Sequence, residues 1–495
     1  MGGLSLNTGL GGSLAQIIAI SNTTLGGGLL TVNAGNGPVY GFPPPPNPTG
    51  SVLPLSQTAQ FSASNVTGIG AGTINLGNNY RNVTVGADNT SNFVSATTLS
   101  VGVGINSNVV LMNTRVSGAE TINVGNMQNF GTTLLPPNSF ILNGNAGSLN
   151  LTVGDNAKTF QQNAVVTGNE TVSVGNNAGP VSIVRPTNGN SSITIGSNAG
   201  AISITGTNTA TPPAGPWNET ISIGNAAASI SIGGSMSGNQ TITIGTVAGP
   251  VTISTVVGGT QSVTTGNQTG SGGPVSVSGS AFSGNYTVGN NLVFNLSSTF
   301  GDGVTITGAA GDTINVSSPS MSSLTIGAPG VGNTINVVNT VMTNGVMSIS
   351  AGDGATVSVD NARALTDPSG NGITINTANA AVSVSVTNTR ANNLTINNGN
   401  GNTFFYLANN TLGTPTSAGN GLLLNSGNGD NSLFMANMAV LNGLIVTFGA
   451  GVNTVYAANV LADWGFIDGG SSGANVYYDG GGNAGFFVFD FVGYP

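Results

Sequence analysis

The chain has 495 residues, 79 of them Gly, with only 4% charged residues, no Cys, no His and a net charge of −9. Without Cys and His it can build no Ser-His-Asp or Cys-His catalytic site, no thiolate or imidazole zinc site and no disulfide framework. Its six bases, Arg81, Arg115, Lys158, Arg185, Arg363 and Arg390, are too scattered for a basic patch, so nucleic acid is not expected as a partner.

No run of about 18 apolar residues is present, so no transmembrane helix is expected. Hydrophobic residues nevertheless make up 38% of the chain, and Ile, Val and Leu recur in short alternating blocks, which separates it from disordered sequences.

Residues 1–60 read as an atypical N-terminal capping or docking segment. The opening MGGLSLNTGLGGSLAQIIAI has no Lys or Arg ahead of its apolar stretch and reads as a poor secretion leader. The run Phe42-Pro43-Pro44-Pro45-Pro46-Asn47-Pro48 is expected as polyproline II, outside any sheet.

Residues 61–410 carry a repeat. Blocks such as Thr171-Val172-Ser173-Val174-Gly175-Asn176 and Thr220-Ile221-Ser222-Ile223-Gly224-Asn225 return with their first apolar residue at 151, 172, 193, 221, 242 and 263. The steps are 21, 21, 28, 21 and 21, and the long one holds the loop 207–217. A second beat follows nine residues later, as in Val172 to Val181 and Ile221 to Ile230, with Gly-Asn turn chemistry between. A looser beat continues downstream at Val304 with Ile314, Leu324 with Ile335, Met347 with Val357, Ile373 with Val382 and Leu394 with Phe404.

Within each block the period is two, so one face is apolar and the other is Thr and Ser. Such a unit cannot bury its apolar face alone, and no helical pattern separates the blocks. The expected fold is therefore all-β, a parallel β-solenoid (β-helix) of about 21 residues per coil with two main strands per coil.

Residues 411–495 read as an aromatic-rich end, cap or subunit contact. Phe486, Phe487, Phe489, Phe491 and Tyr494 are the candidate assembly contact, with 486–491 adding as a strand to a second copy.

Candidate sites are few. Asp302, Asp312, Asp353 and Asp430 sit in Gly/Asn turns, where Asp bonds its own backbone; they are the calcium candidates, for isolated sites only, since most turns carry Asn instead. Asn169, Asn218, Asn239, Asn267 and Asn285 open Asn-x-Thr triplets, which makes them glycan acceptors in a secreted protein or, alternatively, rungs of stacked amide ladders. Glu120, Glu170 and Glu219 stand at comparable coil positions and read as a solvated acidic edge.

The coil period and the Gly/Asn/Thr composition over about 60–495 resemble bacterial filamentous adhesins, autotransporter passengers and surface-layer-like secreted proteins. The resemblance implies an extracellular or cell-surface structural subunit that partners itself as a homo-oligomer or filament, with no enzymatic activity and no cofactor. An adhesin binding surface glycans is the alternative. A β-helical polysaccharide-cleaving enzyme is the third reading, and it needs two acids converging in one groove.

Overall fold

The computed structural model describes residues 2–8, 17–37, 59–88, 91–105, 107–127, 138–155, 157–177, 179–198, 200–208, 216–270, 272–365, 372–414 and 419–491. Among them every element is a strand, with no helix, and the strand pairings are parallel, as a β-solenoid requires. The Pro-rich run 42–48 and Tyr494 lie outside the described residues, as do 209–215 of the inserted loop, which Thr207–Asn208 enters as a short strand. The chain divides into two compact units, Met1–Gly245 and Thr246–Pro495.

In the first unit the repeat markers become a physical column. Leu151 pairs with Val172, Val172 with Ile193, Ile193 with Ile221 and Ile221 with Ile242. The column continues upstream through Ile122, Val101, Ile74 and Val32. All nine side chains are buried. β-Branched residues dominate because they fit a pleated surface packed on both sides, and each contributes on the order of 1.5–3 kcal/mol by leaving water. The N-terminal residues belong to the same pairing: Leu4–Thr8 lies beside Leu29–Ala34, and Ile17–Thr24 beside Ala59–Leu76.

In the second unit the matching column is Ile306, Ile326, Ile349, Ile375, Ile396, Leu424, Val446 and Ile467. One sequence expectation is corrected here. The beat at Phe404 falls on the wrong face: Phe404 is half exposed, and Phe405 is the core residue, paired with Val384 and Leu433. Two adjacent phenylalanines leave the face ambiguous, and a slip of one residue inverts it.

Corners in this unit are turned by Asn. Asn339, Asn361, Asn388, Asn409, Asn437 and Asn459 all have φ between 49° and 57°. Their amides stack: Asn361 Nδ2 donates to Asn339 Oδ1 at 2.7 Å, Asn409 to Asn388 at 3.2 Å, Asn437 to Asn409 at 3.2 Å and Asn459 to Asn437 at 3.1 Å. Asn tolerates the left-handed region, and its side chain links one strand layer to the next. Asn409→Ala is expected to cost about 1–3 kcal/mol, from backbone strain plus two lost hydrogen bonds. Asn409→Gly, which keeps the backbone free, should cost clearly less. Urea unfolding of the two variants checks this, and equal losses would remove φ from the explanation.

Candidate functional site

The turns that follow each strand are bridged by side-chain oxygens. In the first unit Asn126 Oδ1 accepts from the Asp155 backbone N–H (2.9 Å), Asp155 Oδ1 from Asn176 (2.7 Å) and Asn176 Oδ1 from Ser197 (2.9 Å). Asp and Asn are interchangeable in this role because only the acceptor oxygen is used.

The four calcium candidates fall into the same pattern. Asp353 Oδ1 accepts from Asn379 and Ala380 N–H (2.9 and 3.0 Å), Asp430 Oδ1 from Val452 N–H (2.8 Å), and Asp302 Oδ1 from the Ser322 hydroxyl (2.8 Å). Asp312 is buried and accepts from the backbone N–H groups of Leu292 (3.0 Å) and Ala309 (2.6 Å). Its pKa is raised by burial, against which the two N–H donors work. Among the described residues no three His, Cys, Asp or Glu side chains come together to hold a metal ion.

The Asn-x-Thr positions form a second ladder at strand entry. Asn169 Oδ1 accepts from Asn190 N–H (2.9 Å), Asn190 from Asn218 (2.8 Å) and Asn218 from Asn239 (2.9 Å). In the second unit Asn267 Oδ1 accepts from Asn290 N–H (3.0 Å), whereas Asn285 lies mid-strand in Ser283–Thr287, exposed. Four of these five positions thus take part in bridges from a side-chain oxygen to a backbone N–H of the next layer rather than in a continuous amide-to-amide stack.

The three glutamates are not a solvated edge. Glu120, Glu170 and Glu219 are 1%, 1% and 2% exposed, each two residues ahead of a core aliphatic and so pointing to the same side. Glu219 has a basic partner: Arg185, 2% exposed, directs Nε to Glu219 Oε1 and Nη1 to the Gly233 carbonyl. Gln240 Nε2 donates to Glu219 Oε2 at 2.8 Å. Burial pushes Glu170 up to about 8, helped by the charge of Glu219 and opposed by Arg185. Burial pushes Glu120 up to about 7, with the Thr114 hydroxyl working the other way. A glycan chain cannot reach these carboxyls, because all three lie in the core. The two-residue period could have revealed them, since Glu170, Val172 and Val174 share one parity.

The aromatic region presents two outward columns. Tyr406, Phe434, Tyr456 and Tyr478 pair strand to strand, and the first three rings stack at 5.1 and 4.9 Å with interplanar angles of 8° and 4°. Faces stacked on each other leave mainly ring edges to solvent, a poor platform for a sugar ring. The other column runs Leu423, Ile445, Phe466, Phe487. Phe487 and Phe489 are 72% and 53% exposed, Phe486 and Phe491 partly so, and Phe491 meets Tyr477 edge-on at 6.1 Å.

These features define a repeat protein of parallel β-solenoid-like architecture whose polar groups serve mostly to bridge one layer to the next. Comparison with protein-family models, curated proteins and solved structures returned no match. No helix among the described residues is long and apolar enough to cross a membrane.

Proposed function

We propose that the chain winds with about 21 residues and two main strands per coil, and that it is a structural subunit of an extracellular filament or cell-surface coat. The coil reading is supported by registers of 21 residues, as for Val172 with Ile193, broken by 28 where residues 207–217 are inserted. The second strand keeps step, with Phe160, Val181, Ile202 and Ile230 in line. On this reading the strands of 4–34 and 422–489 continue the array of 61–410, and the terminal segments 1–60 and 411–495 supply the contacts between copies.

The observation that carries the assembly reading is the strand Phe487–Phe489. Among the described residues it ladders only with Gly465–Asp468, and Phe487 and Phe489 are exposed on it. An edge with unpaired N–H and C=O groups flanked by aromatics is a template for another strand, here one from a second copy. The uncharged Asn, Ser and Thr exterior supports an outdoor setting, because such a surface is hydrated without salt-sensitive ion pairs.

Sedimentation and negative-stain electron microscopy over a concentration series test the reading. Ordered fibres or sheets are expected from the wild type, and at least a tenfold higher assembly concentration from the Phe487→Asp/Phe489→Asp double variant. A wild type that stays monomeric throughout ends it.

A further inference from the structure

The core of Met1–Gly245 holds an uneven charge count. Glu170 sits directly beside Ser191, and Ser191 beside Glu219, in three consecutive paired strands. Arg185, which follows the strand Val181–Val184, brings one positive charge to two carboxyls and spends its Nε on Glu219. Both oxygens of Glu170, the second terminal nitrogen Nη2 of Arg185 and the Ser191 hydroxyl are buried with no protein hydrogen bond.

Among the described residues the surroundings offer nothing else to balance Glu170. The preceding strand presents Leu149 to it, the following one Ser191. Glu120, the next acid in the same column, lies beyond Leu149, and neutral Gln240 lies beyond Glu219. The charged groups acting on Glu170 are thus Arg185, already engaged, and Glu219, of like sign. Two carboxylates and one guanidinium buried together leave one uncompensated negative charge, which costs several kcal/mol unless a proton removes it.

We propose that Glu170 is a proton-operated latch: the folded unit holds it as the neutral acid, and its ionisation loosens the strands around it. This is independent of whether copies assemble. The upward shift of Glu170 to about 8 has the matching sign. An acid held above its unfolded value contributes no penalty at low pH. Stability then falls as pH rises from the ordinary Glu range, about 4.3, through the folded value. The protein is expected to be most stable in mildly acidic surroundings and to weaken toward pH 9.

Chemical denaturation of the full chain between pH 5 and 9 tests the latch. In a Glu120→Gln background, which removes the other raised glutamate, the folding constant is expected to fall by up to about tenfold per pH unit below pH 8. Adding Glu170→Gln should flatten that fall. An unchanged slope after Glu170→Gln overturns the proposal. If Glu170→Gln does not fold, infrared spectroscopy of the Glu120→Gln protein decides. A protonated-carboxyl carbonyl band persisting at pH 7 and lost by pH 9 sustains the latch, and absence of that band at pH 7 refutes it.

Discussion

Arg185→Leu is expected to lower the stability of the unit that contains it by about 3–5 kcal/mol, the cost of stranding a buried partner charge. The side chain is 2% exposed and bonds both Glu219 and the Gly233 carbonyl, so leucine removes two contacts and leaves two acids without a cation. Attraction within a buried pair roughly offsets its desolvation, so the loss comes mainly from the orphaned carboxylate. The double variant Arg185→Leu/Glu219→Gln should therefore recover a large part of the deficit. Urea unfolding monitored by circular dichroism measures both. A single variant costing under about 1 kcal/mol, the value of an exposed pair, would mean that the pair does not hold the core.

Gly279→Ala is expected to cost about 3 kcal/mol or more. Gly279 lies inside the strand Val275–Ala281, between Thr255 and Ser298 in register, with φ of 115°. That region is essentially glycine-only, with strain of about 1–3 kcal/mol for other residues, and an added Cβ would also collide with the Thr255 carbonyl. Gly327→Ala is the control, in the strand Met321–Ala328, where an added Cβ meets nothing within 4 Å and φ is not positive. It should be neutral or gain up to about 1 kcal/mol by restricting the unfolded chain. Similar unfolding midpoints for the two would show that the glycine strand does not require its φ.

Much of the fold was legible in the sequence. The markers 151, 172, 193, 221 and 242 are neighbours in register, because an alternating apolar pattern repeated at a fixed interval has one way to bury every apolar face at once. The Gly-Asn turns were legible as turns, but not for the expected reason: Gly175, Asn176, Gly224 and Asn225 have no positive φ, and an added Cβ at Gly175 or Gly224 would instead strike the turn of the neighbouring layer. Phe404 and Phe405 were not separable, since hydrophobicity says nothing about which of two adjacent aromatics points inward. The candidate site was less legible. The assembly strand was visible as an aromatic cluster, but its open edge is a property of pairing. Charge alone points the glutamates outward, whereas their parity with Val172 and Ile221 is the stronger signal and puts them in the core.

The sequence by itself determined an all-β chain of stacked short strands with an uncharged polar exterior, no His or Cys chemistry and Asn-rich corners, because each of these follows from residue type and local period. Only the tertiary structure decided that Arg185, 34 residues from Glu219, enters the core to meet it. It also showed that Glu170 and Glu219 share one cation, Arg185, which of the two bonds only Glu219, and that the Asn side chains join into ladders across layers. Those outcomes depend on which strands become neighbours, and pairing between residues 21 or more apart is set by the packing of the whole unit rather than by local preference.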